Sequence, residues 1–183
     1  MSGHQGLSPL IEAFFGGAGI PTFPASAIPG DGVSLAEVLR EIYDQQEKAA
    51  MKAAAAIVNG QTLFTIAGGP IELLALYSKC VTDNDATAST LQYSHDATDG
   101  AAATISAASA SLASVAAGGS VTWLGTALTT APAVSANGAA LGANRTHILQ
   151  QGIITAVVGV GSTTGTWTHH IRYRPLARGV TVS

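Results

Sequence analysis

At Gln61 the apolar residues of this 183-residue chain change period, from recurrence every three or four positions to alternation. Neighbouring side chains on a strand point to opposite faces, so alternation predicts strands with one buried side. Thr62-Leu63-Phe64-Thr65-Ile66 reads as the first, stopped by Ala67-Gly68-Gly69-Pro70. Ile71 to Thr82 follows as a long apolar strand whose only charges are Glu72 and Lys79, and Asp83-Asn84-Asp85 reads as a turn. Ala88 to His95 alternates weakly, Asp96 to Gly100 is another turn, and Thr104 to Val115 sets small residues around Ile105 and Leu112. Val121 to Leu124, Ile148 to Gln150, Ile153 to Val160 and Thr166 to Arg174 bring the total to about eight short strands. Gly159 to Gly165 is expected to join the last two as a hairpin. The fold class this predicts is mainly β, an antiparallel β-sandwich, jelly-roll-like, over residues 60–183. The alanines of 101–117 would suit a helix equally well.

Upstream of Gln61 the expectations are different. Ser34-Leu35-Ala36-Glu37 fits a capping box, in which the serine hydroxyl takes an amide at the helix start and the glutamate reaches back. Leu35, Val38, Leu39 and Ile42 then recur at helical spacing, and Asn59-Gly60 supplies a stop. One long helix is expected over 34–59, roughly 25 residues and about 37 Å. Its narrow apolar stripe suits either a parallel bundle with symmetry mates or a seat across its own sheet. Residues 1–33 are punctuated by Gly and Pro too often for regular structure. They read as an extended docking arm, anchored through Leu7, Leu10, Phe14 and Phe15, or as a disordered tail.

Composition narrows the function classes. The chain is 47% hydrophobic but 5% aromatic and 10% charged, where about 25% charged is ordinary. Nucleic-acid binders need a basic field and disordered polyelectrolytes need many charges, so both are disfavoured. The eleven acids all lie in the first 99 residues beside four basic ones, leaving −7 there and +4 in the remainder. No charged side chain falls between Asp99 and Arg145. A subunit of an assembly can bury such a neutral surface against copies of itself; otherwise its small residues simply face water. A homo-oligomer is the expectation. The single cysteine, Cys80, excludes an internal disulfide and a Cys-based zinc site. No apolar run reaches the roughly 18 residues that suggest a membrane span, and Met1 to Leu10 lacks the features of a secretory signal.

The chemistry-bearing residues do not assemble into a reactive motif. His169 and His170 are neighbours on a strand and point apart, so they cannot chelate one ion together. His95-Asp96 has no nucleophile at motif spacing. Gly159 to Gly165 resembles a phosphate loop, but it lacks the Gly-Lys-Ser/Thr ending and a strand follows it. Asp83 and Asp85 miss the glycine and closing glutamate of a calcium loop. Asn144-Arg145-Thr146 fits a glycosylation acceptor, read here as chance. Cys80 reads as a small buried hydrophobe. Neither cofactor nor metal is called for, and an enzyme is not the expectation. Trp123, Trp167 and Tyr93 read as packing anchors, or as the stacking surface of a glycan- or receptor-binding adhesin. The last strand places Trp167, His169, Ile171 and Tyr173 on one face and Thr168, His170, Arg172 and Arg174 on the other. Arg172, Arg174 and Arg178 are expected to meet carboxylates within an assembly or an acidic particle surface.

Three segments carry a family resemblance. Gly30-Asp31-Gly32-Val33-Ser34-Leu35-Ala36-Glu37-Val38-Leu39-Arg40-Glu41-Ile42-Tyr43 resembles a stretch found in structural proteins of tailed bacteriophages. Gln61-Thr62-Leu63-Phe64-Thr65-Ile66-Ala67-Gly68-Gly69-Pro70-Ile71 and His170-Ile171-Arg172-Tyr173-Arg174-Pro175-Leu176 are similar to the first and last strands of the matching β-domain. Together they frame residues 30–176. The resemblance implies a virion protein made in the host cytoplasm, a capsid decoration or head-fibre subunit, with a homotrimer favoured. Its partners would be its own copies and the major capsid protein or another virion protein. No active-site residues come with it, and neither a membrane nor direct nucleic-acid contact is implied.

Overall fold

A computed structural model of the chain describes residues 46–123, 131–135, 147–160 and 164–183. These fold into eleven strands: β1 Lys48–Ala56, β2 Thr62–Ala67, β3 Ile71–Cys80, β4 Leu91–Ala97, β5 Ala103–Thr104, β6 Ser120–Thr122, β7 Ala133–Ser135, β8 His147–Leu149, β9 Gly152–Val158, β10 Thr166–Pro175 and β11 Thr181–Val182. They form two antiparallel sheets. The first runs β1-β10-β3-β6-β7, with β8 also pairing β3. The second runs β11-β2-β9-β4-β5. β6 and β8 share one edge of β3 end to end, at Tyr77–Lys79 and Ile71–Leu73 respectively.

Each long strand buries alternate residues. β3 turns Ile71, Leu73, Leu76, Ser78 and Cys80 inward, and a register shift against β10 near Leu73 and Ala75 resets the alternation midway. β10 buries Trp167, His169, Ile171 and Tyr173 and leaves Arg172 and Arg174 exposed, as its alternation predicted. Leu63, Phe64 and Ile66 of β2, Leu91 and Tyr93 of β4 and Ile154 and Ala156 of β9 face them from the second sheet, giving one shared apolar core. Its largest enclosed side chain is Trp167. Full burial of a residue of this kind contributes on the order of 2 kcal/mol or more.

Three expectations need correction. The helix over 34–59 does not run through its second half, because Lys48–Ala56 is strand β1, paired with β10 from Lys48↔Tyr173 to Ala56↔Thr166. Alanine favours a helix by tenths of a kcal/mol per residue, and pairing along a nine-residue strand outweighs that preference. Asn59-Gly60 does interrupt the chain, but as the turn into β2, with Gly60 at φ +78° and the Gln61 amide donating to the Val58 carbonyl. The arm residues Leu7, Leu10, Phe14 and Phe15 and the helix residues Leu35, Val38, Leu39 and Ile42 lie outside the described residues. Second, Gly159 to Gly165 is not a hairpin tip: β9 belongs to the second sheet and β10 to the first, so the chain changes sheets there.

Third, Thr104 to Val115 is neither a strand nor a helix beyond Thr104, the last residue of β5. The segment runs irregularly along β4 and fills its missing acceptors with serine hydroxyls. Ile105, Ser109 and Leu112 donate backbone amides to the carbonyls of Tyr93, Leu91 and Ser89. In return the Leu91 and Tyr93 amides donate to Ser109 Oγ and Ser106 Oγ at 3.0 and 2.9 Å. Serine competes well for such local bonds, which is why this stretch follows β4 without adopting strand geometry.

Candidate functional site

Three turns meet at one end of the two sheets. The first, Ala67-Gly68-Gly69-Pro70, links β2 to β3 and is clamped by the end of the chain. Leu176 donates its amide to the Pro70 carbonyl, Thr65 and Ser183 exchange backbone bonds, and Thr181 pairs with Ala67. Gly68 has φ +83°, and a Cβ there would lie 2.8 Å from the Gly179 carbonyl oxygen, so the clamp closes only on glycine. The second turn, Ala97 to Gly100, is tied to the third by the Thr98 amide donating to Gln151 O at 2.9 Å. The third, Gln150-Gln151, is also held by its Gln150 carbonyl, 3.0 Å from His95 Nε2. Gly152 packs its Cα face against Asp96 and Ala97, leaving no room for a side chain.

Between these turns lies a cleft of about 470 Å³. Gly69 and Pro70 line it from the first turn, Ala97, Asp99 and Gly100 from the second, and Gln150 and Gln151 from the third. One carboxylate and two carboxamides give it acceptors and donors for a polar surface. No serine, histidine or lysine is among these lining residues, and Asp99 is their one ionisable side chain.

Four titratable groups elsewhere, His169, Tyr93, Cys80 and His95, are enclosed. His169 Nδ1 lies 2.7 Å from Ser78 Oγ, which lies 3.0 Å from the Tyr93 hydroxyl, and Tyr93 donates to the Val121 carbonyl at 3.2 Å. By residue type this is a serine–histidine pair, yet Ser78, Tyr93 and His169 are all fully buried. The line of bonds ties the first sheet to the second through the core. Burial pushes His169 down to about 4, with Lys52 and His170 acting in the same direction. It drives the Tyr93 hydroxyl far above its usual range, a hydrogen bond from Ser78 opposing. Burial also lowers His95 and raises the Cys80 thiol, whose Sγ sits 3.0 Å from the Thr82 carbonyl.

The residues singled out from sequence have separate fates. Trp167 and Tyr93 are fully buried and Trp123 is 4% exposed, donating Nε1 to the Ile105 carbonyl, so none offers a face for sugar stacking. Arg172 and Arg174 find carboxylates on the same chain: Arg172 pairs with Glu47 at 2.5 Å and Arg174 with Glu72 at 2.6 Å. Arg178 is exposed and makes no ion pair among the described residues. Asp85 caps its own turn, accepting from the Thr87 amide, whereas Asp83 accepts from the distant Ala117 amide. Sequence reasoning treated Gly68-Gly69-Pro70 and Asp96 to Gly100 as separate turns. Their meeting with Gln150-Gln151 left no signal beyond the clustering of turn-forming residues. Comparisons with protein-family models, with curated proteins and with solved structures found no match.

Proposed function

We propose that this chain is a structural subunit of a tailed-bacteriophage virion, a capsid decoration or head-fibre protein that assembles with its own copies. The observation that carries the reading is the way two of the resembling segments meet. Residues 61–71 and 170–176 stand about a hundred positions apart, yet they meet where Leu176 donates to Pro70, and the residues just beyond, 177–183, clamp Gly68 and Gly69. Two of the three segments that carry the family likeness thus meet at one end of the sheets, next to the polar cleft. The enclosed histidine, serine and tyrosine support a structural role too, since they are spent on holding two sheets together.

In this reading the sheets form a sandwich of jelly-roll type that projects from or covers the particle, and residues 1–33 attach it. The cleft lined by Asp99, Gln150 and Gln151 supplies polar contact with a neighbouring virion protein. Mass spectrometry of gradient-purified phage particles from a host carrying this gene tests the proposal. The expected result is peptides of this chain in fixed stoichiometry to the major capsid protein. Its presence only in the soluble lysate, with none in particles, would contradict the proposal.

A further inference from the structure

The polar cleft offers a ligand an uneven set of groups. Several of its backbone acceptors are already used by the turns themselves. The Pro70 carbonyl takes the Leu176 amide, Ala97 takes that of Gly100, Gln151 takes that of Thr98, and the Gln150 carbonyl faces His95 Nε2. The side chains of Asp99, Gln150 and Gln151 are exposed and make no hydrogen bond or ion pair among the described residues. They bring two carboxylate oxygens, two carboxamide oxygens and one negative charge to the same cleft. No cation lines it: Arg178, in the clamp beside the first turn, is not among the lining residues. Gly69, Ala97 and Gly100 add little bulk, and the cleft's 470 Å³ lies within the about 300–1,000 Å³ usual for ligand pockets.

We propose that this cleft receives an arginine side chain presented by a neighbouring virion protein, its guanidinium seated on Asp99 and on the carboxamide oxygens of Gln150 and Gln151. That the owner is a virion protein rests on the reading above, whereas the choice of arginine rests on the cleft's own groups. A guanidinium is always charged and carries five N–H donors and no acceptor. Its planar fork meets a carboxylate in two parallel bonds and leaves outer N–H groups for the carboxamides. An ammonium lacks the fork and holds its water more strongly. A phosphate or carboxylate ligand would meet the like charge of Asp99. No aromatic side chain lines the cleft for a flat ring to stack on. The turns that carry the three side chains are tied down, Thr98 to Gln151 and His95 to Gln150, so little backbone ordering is left to oppose binding.

Nuclear magnetic resonance titration of the isotope-labelled full-length chain tests this. The probes are N-acetyl-arginine amide, its neutral isostere N-acetyl-citrulline amide, and N-acetyl-lysine amide. Saturable shifts are expected at the amides of Ala97 to Gly100, Gln150 and Gln151, with the citrulline probe binding roughly tenfold more weakly and the lysine probe in between. Asp99→Asn is expected to weaken the arginine probe about tenfold, and Gln150→Ala with Gln151→Ala severalfold. Arg178→Gln is expected not to weaken it, and all variants should keep the parent circular dichroism spectrum. Shifts that miss these turns, equal binding of the arginine and citrulline probes, or unchanged binding by Asp99→Asn would overturn the arginine site and leave the virion reading standing. A chain that binds as expected but is missing from purified particles would overturn the virion partner instead.

Discussion

His169 shows what a single residue does in this core. Its ring is fully buried, bonded to Ser78 through Nδ1, and faces Lys52 across the β1–β10 register and its neighbour His170 along the strand. The folded state therefore holds it neutral, with its pKa at about 4 against 6.5 for a free histidine. Because the unfolded chain binds the proton more readily, the stability from this site is complete above pH 6.5, falls as pH drops toward 4 and levels off below. The loss amounts to about 3 kcal/mol, and His95 and His170, both lowered chiefly by burial, act in the same sense. Urea unfolding between pH 7 and pH 4 should show this decline, and His169→Gln should flatten it while lowering stability at pH 7. An equal decline in the variant would remove His169 as the cause. Gly152 makes a second case, since any Cβ would strike Asp96 and Ala97. Gly152→Ala is expected to cost about 2 kcal/mol or more, read from the same urea curves; an unchanged midpoint would contradict the close packing of those two turns.

Among the elements, β10 was the most readable and β1 the least. β10 alternates cleanly, with Trp167, His169, Ile171 and Tyr173 inside, so its two faces were legible before any pairing was known. Lys48–Ala56 offers only alanines, lysines and one methionine, whose local preference is helical; what makes it a strand is β10 beside it, which no local pattern reveals. The same logic ranks the substitutions on β10. Arg172 and Arg174 pair with Glu47 and Glu72 in partly exposed positions, and such pairs contribute about 0–1 kcal/mol. Trp167→Ala empties the largest enclosed site and is expected to cost about 3–5 kcal/mol. Thermal unfolding of Arg174→Gln and Trp167→Ala should therefore differ severalfold in effect. Comparable losses would mean that the outer ion pairs hold the sheet more than its core does.

At the scale of the whole molecule, the chain passes between the two sheets at most of its connections: from β1 to β2, β2 to β3, β3 to β4, β5 to β6, β8 to β9, β9 to β10 and β10 to β11. The longer strands after Gln61 could be read from alternation, but which strands pair could not, and the Gly159 to Gly165 hairpin failed for that reason. The cleft was hidden likewise, because its three turns come from separate parts of the sequence and meet only once both sheets have formed. The neutral composition gains a partial explanation, since Ser106 and Ser109 serve as backbone acceptors along β4. Apolar side chains such as Met51 and Ile148 remain more than half exposed. On the present account, copies of the chain cover surfaces of this kind for one another. Sedimentation equilibrium of the full-length protein at micromolar concentration tests that directly. The account predicts a mass of two or more chains, a whole multiple of 18.3 kDa above the first; a mass of one chain, unchanged as concentration rises, would contradict it.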